Sequence, residues 1–196
     1  GDIGNNDYLL IDNQEAALID CTGDIPELDA VLKENNATLK YILLTHAHFD
    51  HIAGVKKVQD SHPECKVYLH EADKETLENT NDFMKMVGLA PIEIPRIDVY
   101  IKEGDKIKLG NLEIKVLHLP GHTPGGVGYC VENMIFSGDT IFLNSVGRTD
   151  LPGGNFDTLK SSIENKLFKL DGSTIICTGH GSETSVDYEK KYNSFI

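Results

Sequence analysis

Within six residues, His46-Ala47-His48-Phe49-Asp50-His51, this chain sets four side chains that can ligate a metal ion. The run follows the apolar, β-prone stretch Tyr41-Ile42-Leu43-Leu44 and leads into a segment with helical spacing. In extended backbone, residues two apart point to the same side, so His46 and His48 project together and can grip one ion. The turn into the helix then aims Asp50 and His51 at a second position nearby. Asp50 by itself could simply cap the helix. Four such groups crowded together serve no packing purpose, because buried polar groups cost free energy unless each finds a partner.

The same local grammar recurs three times. His122 follows Gly121 beyond the strand-like stretch 112–117, Asp139 follows Gly138 beyond 134–136, and His180 follows Gly179 beyond 174–177. Each lies past the carboxyl end of a strand, where sites in layered α/β folds collect. A preceding glycine allows turns and close approaches that other residues resist. The set is five histidines and two aspartates with no thiolate, a donor chemistry that suits zinc or iron, with manganese also admissible. Two aspartates only half neutralise two divalent ions, so the centre stays positive. Bound metal lowers the pKa of water from ~15.7 to ~7 and so supplies a nucleophile at neutral pH. A carboxylate at position 139 can reach both ions. His62, His70 and His118 lack this context and read as structural or surface residues.

Around these residues, strands and helices interleave. Strands are predicted over 8–11, 16–19, 41–44, 66–69, 98–102, 106–109, 112–117, 127–131, 134–136 and 174–177. Helices are predicted over 25–35 (with Asp24 as N-cap), 52–59, 71–79, 159–167 and 186–192. Two β-rich halves, each with helices, suggest two packed sheets covered on the outside. The 196 residues fit one domain, 1–196. Segment 80–95, with Met84, Met86, Val87 and Leu89 among polar residues, reads either as a surface helix and loop or as a lid over the site. The net charge of −13 argues against nucleic acid as a substrate. No apolar run approaches the ~20 residues that span a bilayer, and no signal peptide is visible. Cys21, Cys65, Cys130 and Cys177 are widely spaced and read as reduced thiols of a cytoplasmic protein.

The run His46 to His51 resembles the HxHxDH signature of the metallo-β-lactamase superfamily. Gly121-His122-Thr123-Pro124-Gly125-Gly126, Phe136-Ser137-Gly138-Asp139-Thr140 and Thr178-Gly179-His180-Gly181 resemble that family's other ligand motifs, in the same order. The resemblance implies an α/β fold, the αββα four-layer sandwich, with the metals at the sheet edges. It implies that His46, His48 and His122 bind one metal, that Asp50, His51 and His180 bind the other, and that Asp139 bridges. Asp20 matches an acidic position supporting the site from behind, and reads otherwise as a turn residue after a strand.

Within the family, Asp139 and the complete HxHxDH run argue against a true β-lactamase. Gly138-Asp139-Thr140-Ile141-Phe142 and Gly147-Arg148-Thr149-Asp150-Leu151-Pro152-Gly153-Gly154 look most like glyoxalase II, the hydroxyacylglutathione hydrolases, and are similar also to persulfide dioxygenases. Only 16 residues follow His180, too few for the helical domain with which full-length glyoxalase II helps bind glutathione. The chain resembles that family's small single-domain relatives. The expected activity is hydrolysis of a thioester, a small glutathione or other thiol conjugate, by hydroxide held between two divalent ions. Asp50 would orient that hydroxide, which makes Asp50 and Asp139 the expected catalytic carboxylates. Alternatives are a mono-iron persulfide dioxygenase, cleavage of another ester, lactone or phosphodiester, and a metal-binding module without turnover. Arg148 could pair with a substrate carboxylate or hold its own loop through Asp150.

Overall fold

The computed structural model describes residues 4–196. The first strands, β1 (Tyr8–Asp12) and β2 (Glu15–Ile19), form an antiparallel hairpin. Its two-residue turn has positive φ at both Asn13 and Gln14, the backbone that matches the twist of paired strands. Helix α1 (Leu28–Glu34) then leads to β3 (Thr38–Leu43), parallel to β2. Helices α2 (Phe49–Ile52) and α3 (Val55–Ser61) lead to β4 (Lys66–His70). A 3-10 turn (Glu71–Asp73), α4 (Lys74–Glu78) and α5 (Thr80–Met86) lead to β5 (Val99–Ile101). These strands make one sheet in the order β1-β2-β3-β4-β5.

The second sheet begins as a meander of β6 (Lys106–Leu109), β7 (Leu112–His118), β8 (Val127–Val131) and β9 (Met134–Gly138). A small hairpin, β10 (Ile141–Phe142) and β11 (Ser145–Val146), precedes helix α6 (Phe156–Asn165). Strand β12 (Ile175–Thr178) returns parallel to β9, β13 (Thr184–Ser185) pairs with it, and α7 (Val186–Tyr192) follows. The order is β13-β12-β9-β8-β7-β6.

The alternation of side chains along β2 shows how the layers form. Ala17 and Ile19 face the second sheet, packing with Leu43, Val116, Val127, Tyr129 and Phe136. Ala16 and Leu18 face the other way, into a cluster with Leu28 and Leu32 of α1 and Val55 and Val58 of α3. On the far side of the second sheet, Ile135 and Ile176 pack with Leu159 and Ile163 of α6 and Val186 of α7. A strand buried on both faces presents alternate residues to two different layers, and the result is helix, sheet, sheet, helix. The αββα sandwich expected from the sequence is the architecture found.

Local boundaries differ in instructive ways. The helix expected over 25–35 begins at Leu28, and its N-cap is Glu27, without a side-chain hydrogen bond. Asp24 instead pairs with Lys57. The helix expected over 52–59 starts earlier and breaks in two near Gly54, where a Cβ would lie 2.1 Å from the Gly23 carbonyl oxygen. That early start places Asp50 and His51 inside a helical turn. The four cysteines are free, and burial pushes the thiols up, to about 12 for Cys21 and Cys65 and about 11 for Cys130 and Cys177. Among the described residues, no helix is long and apolar enough to cross a membrane.

Candidate metal centre

All seven residues singled out by the sequence converge at one edge of the two sheets. Their potential donor atoms fall into three overlapping groups, each within 4.8 Å: His46, His48 and His122; His46, His51 and Asp139; Asp50, His51 and His180. The first and third reproduce the two ligand sets implied by the resemblance. Asp139 joins them: its Oδ2 lies 3.5 Å from His122 Nε2 and 3.4 Å from His180 Nε2, and its Oδ1 lies 3.4 Å from His51 Nε2.

Supporting contacts fix which ring nitrogen of His46, His51 and His122 faces inward. Asp20, at 2% exposure and with φ of +57°, sits at the end of β2. Its Oδ1 accepts from the Thr45 N–H at 2.7 Å, and its Oδ2 accepts from the Thr45 hydroxyl at 2.7 Å and from His51 Nδ1 at 2.8 Å. The Thr45 hydroxyl oxygen in turn receives His46 Nδ1 at 3.1 Å. His122 Nδ1 donates to the Arg148 carbonyl oxygen at 2.7 Å. Each of these bonds takes up Nδ1 and turns Nε2 toward the site, the usual outer support of a metal-binding imidazole.

Two buried atoms test whether metal fits. His46 Nε2 and Asp139 Oδ1 have no hydrogen-bond partner among the described residues, and such orphaned polar atoms are costly in a folded chain. Both belong to the middle group, where an ion would satisfy them. The electrostatics agree. Burial, together with the neighbouring histidines, holds His46 well below the usual imidazole range and His48 down at about 3, so both are neutral as ligands must be. Burial pushes the aspartates up, but His51 and His180 outweigh it, bringing Asp50 to about 2 and Asp139 well below the carboxylate range. Hydrogen bonds with Asp139 and Asp50 raise His180 to about 9. For His51 burial acts downward, yet Asp20 and Asp139 raise it well above its ordinary value. The anionic pocket thus gathers positive charge, on protons or on metal.

The glycines before the ligands prove to be matters of space as well as of backbone. Gly138 has φ of +51°, a conformation costly for residues with a Cβ. A Cβ on Gly179 would lie 2.1 Å from Asp139 Oδ1 and 3.0 Å from His51 Cε1. Gly179→Ala is therefore expected to push the Asp139 carboxylate aside and weaken metal binding by about 10–100-fold, the range for lost supporting contacts. Competition with a chromophoric chelator would show it, and unchanged affinity would refute the role given to this close approach.

Arg148 is the residue whose two readings the structure separates. Its guanidinium makes a bidentate pair with Asp150, at 2.7 and 2.8 Å, on a side chain 61% exposed. What it gives the site is its backbone carbonyl, on His122. Segment 80–95 contributes α5, whose Thr80 and Met84 are buried; its Phe83 ring centroid lies 6.4 Å from that of Phe49. The histidines set aside do not join the centre: His70 and His118 stack on each other with ring centroids 4.0 Å apart, and His62 pairs with Asp29.

Two residues near the centre escaped the sequence reading. Asp73 is fully buried; its Oδ2 accepts from the Ala47 N–H and the Thr123 hydroxyl, each at 2.9 Å, and its Oδ1 accepts from the Gly125 N–H at 2.6 Å. It thereby ties the loop of His46 and His48 to the loop of His122. It lies just past the end of β4, so strand-end position was an available signal. Asn5 donates from Nδ2 to Asp50 Oδ2 at 2.9 Å, with the same nitrogen 3.3 Å from His180 Nε2 and 3.5 Å from His51 Nε2. An ion among those three ligands requires the amide to move. Nothing local in the sequence marks Asn5.

The family model described as the metallo-beta-lactamase superfamily matches residues 1–180. Hydroxyacylglutathione hydrolase GloC of Haemophilus influenzae is 36% identical over 94% of this chain and 89% of its own length. The solved structure of BLEG-1, described as a B3 metallo-beta-lactamase, superposes with a TM-score of 0.91 at 38% identity, covering 100% of this chain and 95% of that one. TTHA1623 in a di-iron-bound form gives 0.87 at 37% identity, covering 100% and 97%.

Proposed function

This chain belongs to the metallo-β-lactamase superfamily, and from that footing we propose that it is a binuclear metallohydrolase acting on thioesters. The observation that carries the two-metal reading is the shared carboxylate: Asp139 faces donor atoms of both outer ligand groups. His46, His48 and His122 would hold one divalent ion and Asp50, His51 and His180 the other. Zinc is the first expectation from the donor set, with iron close behind because TTHA1623 is described with two irons. Such ions supply a hydroxide nucleophile at neutral pH and polarise the carbonyl under attack.

The chain's own residues supply the rest. Asp20 and Thr45 engage Nδ1 of His51 and His46, so each ring turns its Nε2 toward the metal position. Asp50 and Asp139, held ionised, are acceptors that can orient a nucleophilic O–H. The thioester reading draws on GloC, whose named substrate class is the hydroxyacylglutathiones, and on the 138–154 stretch that resembles glyoxalase II. A β-lactam belongs in the same assay because BLEG-1 is described as a β-lactamase; Asp139 was the sequence argument against one.

The test is metal content and turnover on protein purified without added metal. About two ions per chain are expected, as in other two-metal sites, with lactoylglutathione and simpler thioesters hydrolysed and a chelator abolishing the rate. A single iron per chain with oxygen consumption on a persulfide would replace this reading with the dioxygenase. A cephalosporin cleaved faster than every thioester would replace it with the lactamase.

A further inference from the structure

Beside His48 the surface opens into a cavity of about 180 Å³ whose walls include Phe49, Phe83, Thr76, Leu151 and Glu75. It is smaller than the ~300–1,000 Å³ of sites that enclose a whole ligand, so it receives one segment of a substrate whose reacting bond lies at the metal centre. The walls are mainly apolar, and neither a lysine nor an arginine lines them. Glu75 supplies the one acidic side chain, and among the described residues its carboxylate has no hydrogen bond or ion pair. Arg148, the cation nearest in sequence to the lining loop at Leu151, is engaged by Asp150.

Resting on the thioester reading above, we propose that this cavity selects the substrate: the segment it takes is short and apolar, carries no carboxylate, and is favoured when it ends in a cationic group, with Glu75 as the specificity-determining residue. The physical reason is that an anionic segment would leave water for an apolar wall that holds no lysine or arginine, and would face the exposed Glu75 carboxylate at its rim. The net charge of −13 adds to the repulsion at longer range. A cationic segment would instead pair with that carboxylate. The consequence is a preference among thioesters that differs from recognition of a carboxylate-rich thiol.

Two matched series on the metal-loaded protein read this preference. One keeps the acetyl group and varies the thiol: thiocholine, N-acetylcysteamine and 3-mercaptopropionate. The other keeps N-acetylcysteamine and compares butanoyl with glutaryl. In the series whose variable half enters the cavity, kcat/KM is expected to fall about tenfold from neutral to anionic, equivalent to ~1.4 kcal/mol, and the gap should narrow in high salt. Glu75→Gln should flatten the charge dependence and Glu75→Lys reverse it. Charge ratios that neither variant moves would overturn the proposal.

If no thioester turns over, the functional reading fails, and the cavity is then judged by binding alone. Methyl NMR shifts at Ala47, Thr76 and Leu151 should follow butylammonium over butanol over butanesulfonate in the wild type, and the order should invert in Glu75→Lys. Equal shifts for all three, in both proteins, would refute the selection.

Discussion

Asp139→Ala is expected to lower kcat/KM for thioester hydrolysis by ~10³-fold or more, combining loss of transition-state charge stabilisation with loss of an activated nucleophile. The carboxylate stands between the two ligand groups, within 3.5 Å of His122 Nε2 and His180 Nε2. Removing it takes away the one anion common to both, and the retained histidines cannot replace its charge. Metal content should fall from about two ions per chain toward one, the loss being of the two-ion arrangement itself. Asp139→Asn separates charge from shape: it keeps the volume and one acceptor, and is expected to lose nearly as much. Circular dichroism should remain that of the wild type, since the three hydrophobic clusters are built from other residues. An alanine variant with two ions and normal turnover would remove Asp139 from the centre.

The second large effect is expected at a residue that touches none of the candidate ligand side chains. Asp73→Ala leaves the Ala47 and Gly125 N–H groups and the Thr123 hydroxyl without their acceptor. Each buried donor left unsatisfied costs about 1–3 kcal/mol, so a loss of about 3–5 kcal/mol is expected after some relaxation. For a chain of this size that corresponds to a melting temperature lower by ~10 °C or more. Burial raises the Asp73 carboxyl above its ordinary value, while the bonds from Gly125, Thr123 and Ala47 work against that rise. Asparagine is not expected to rescue, because one of its two head atoms donates where an acceptor is needed.

The same substitution should loosen the metal held by His46, His48 and His122, because Ala47 lies between two of these ligands and Thr123 next to the third. Chelator competition reads that loss separately from stability. A variant that melts early yet keeps full metal affinity would make Asp73 a purely structural tie.

Much of the centre was legible in advance because its signals are local. Residues two apart in an extended run share a side, which put His46 and His48 together. A glycine followed by a ligand at a strand end was repeated at His122, Asp139 and His180, and Gly179 shows the cause: its missing Cβ is the space into which Asp139 fits. Helix starts were less legible. Asp24 had the chemistry of a cap, but Lys57, distant in sequence, took its carboxylate.

By itself the sequence pointed to the layered α/β architecture, through interleaved strands and helices and a family resemblance, and marked seven candidate donors, because donor spacing is a property of neighbouring residues. Only the tertiary structure decided that Asp73 would join two loops 26 and 52 residues away along the chain, that Asn5 would reach Asp50 and His180, and that Arg148 would give its carbonyl to His122 while its charge went to Asp150. The cavity at Glu75 is of the same kind, assembled from loops and helices far apart in sequence. Such contacts depend on where packed layers bring the backbone, and hydrogen bonds and apolar walls are formed by proximity in space that no local pattern encodes.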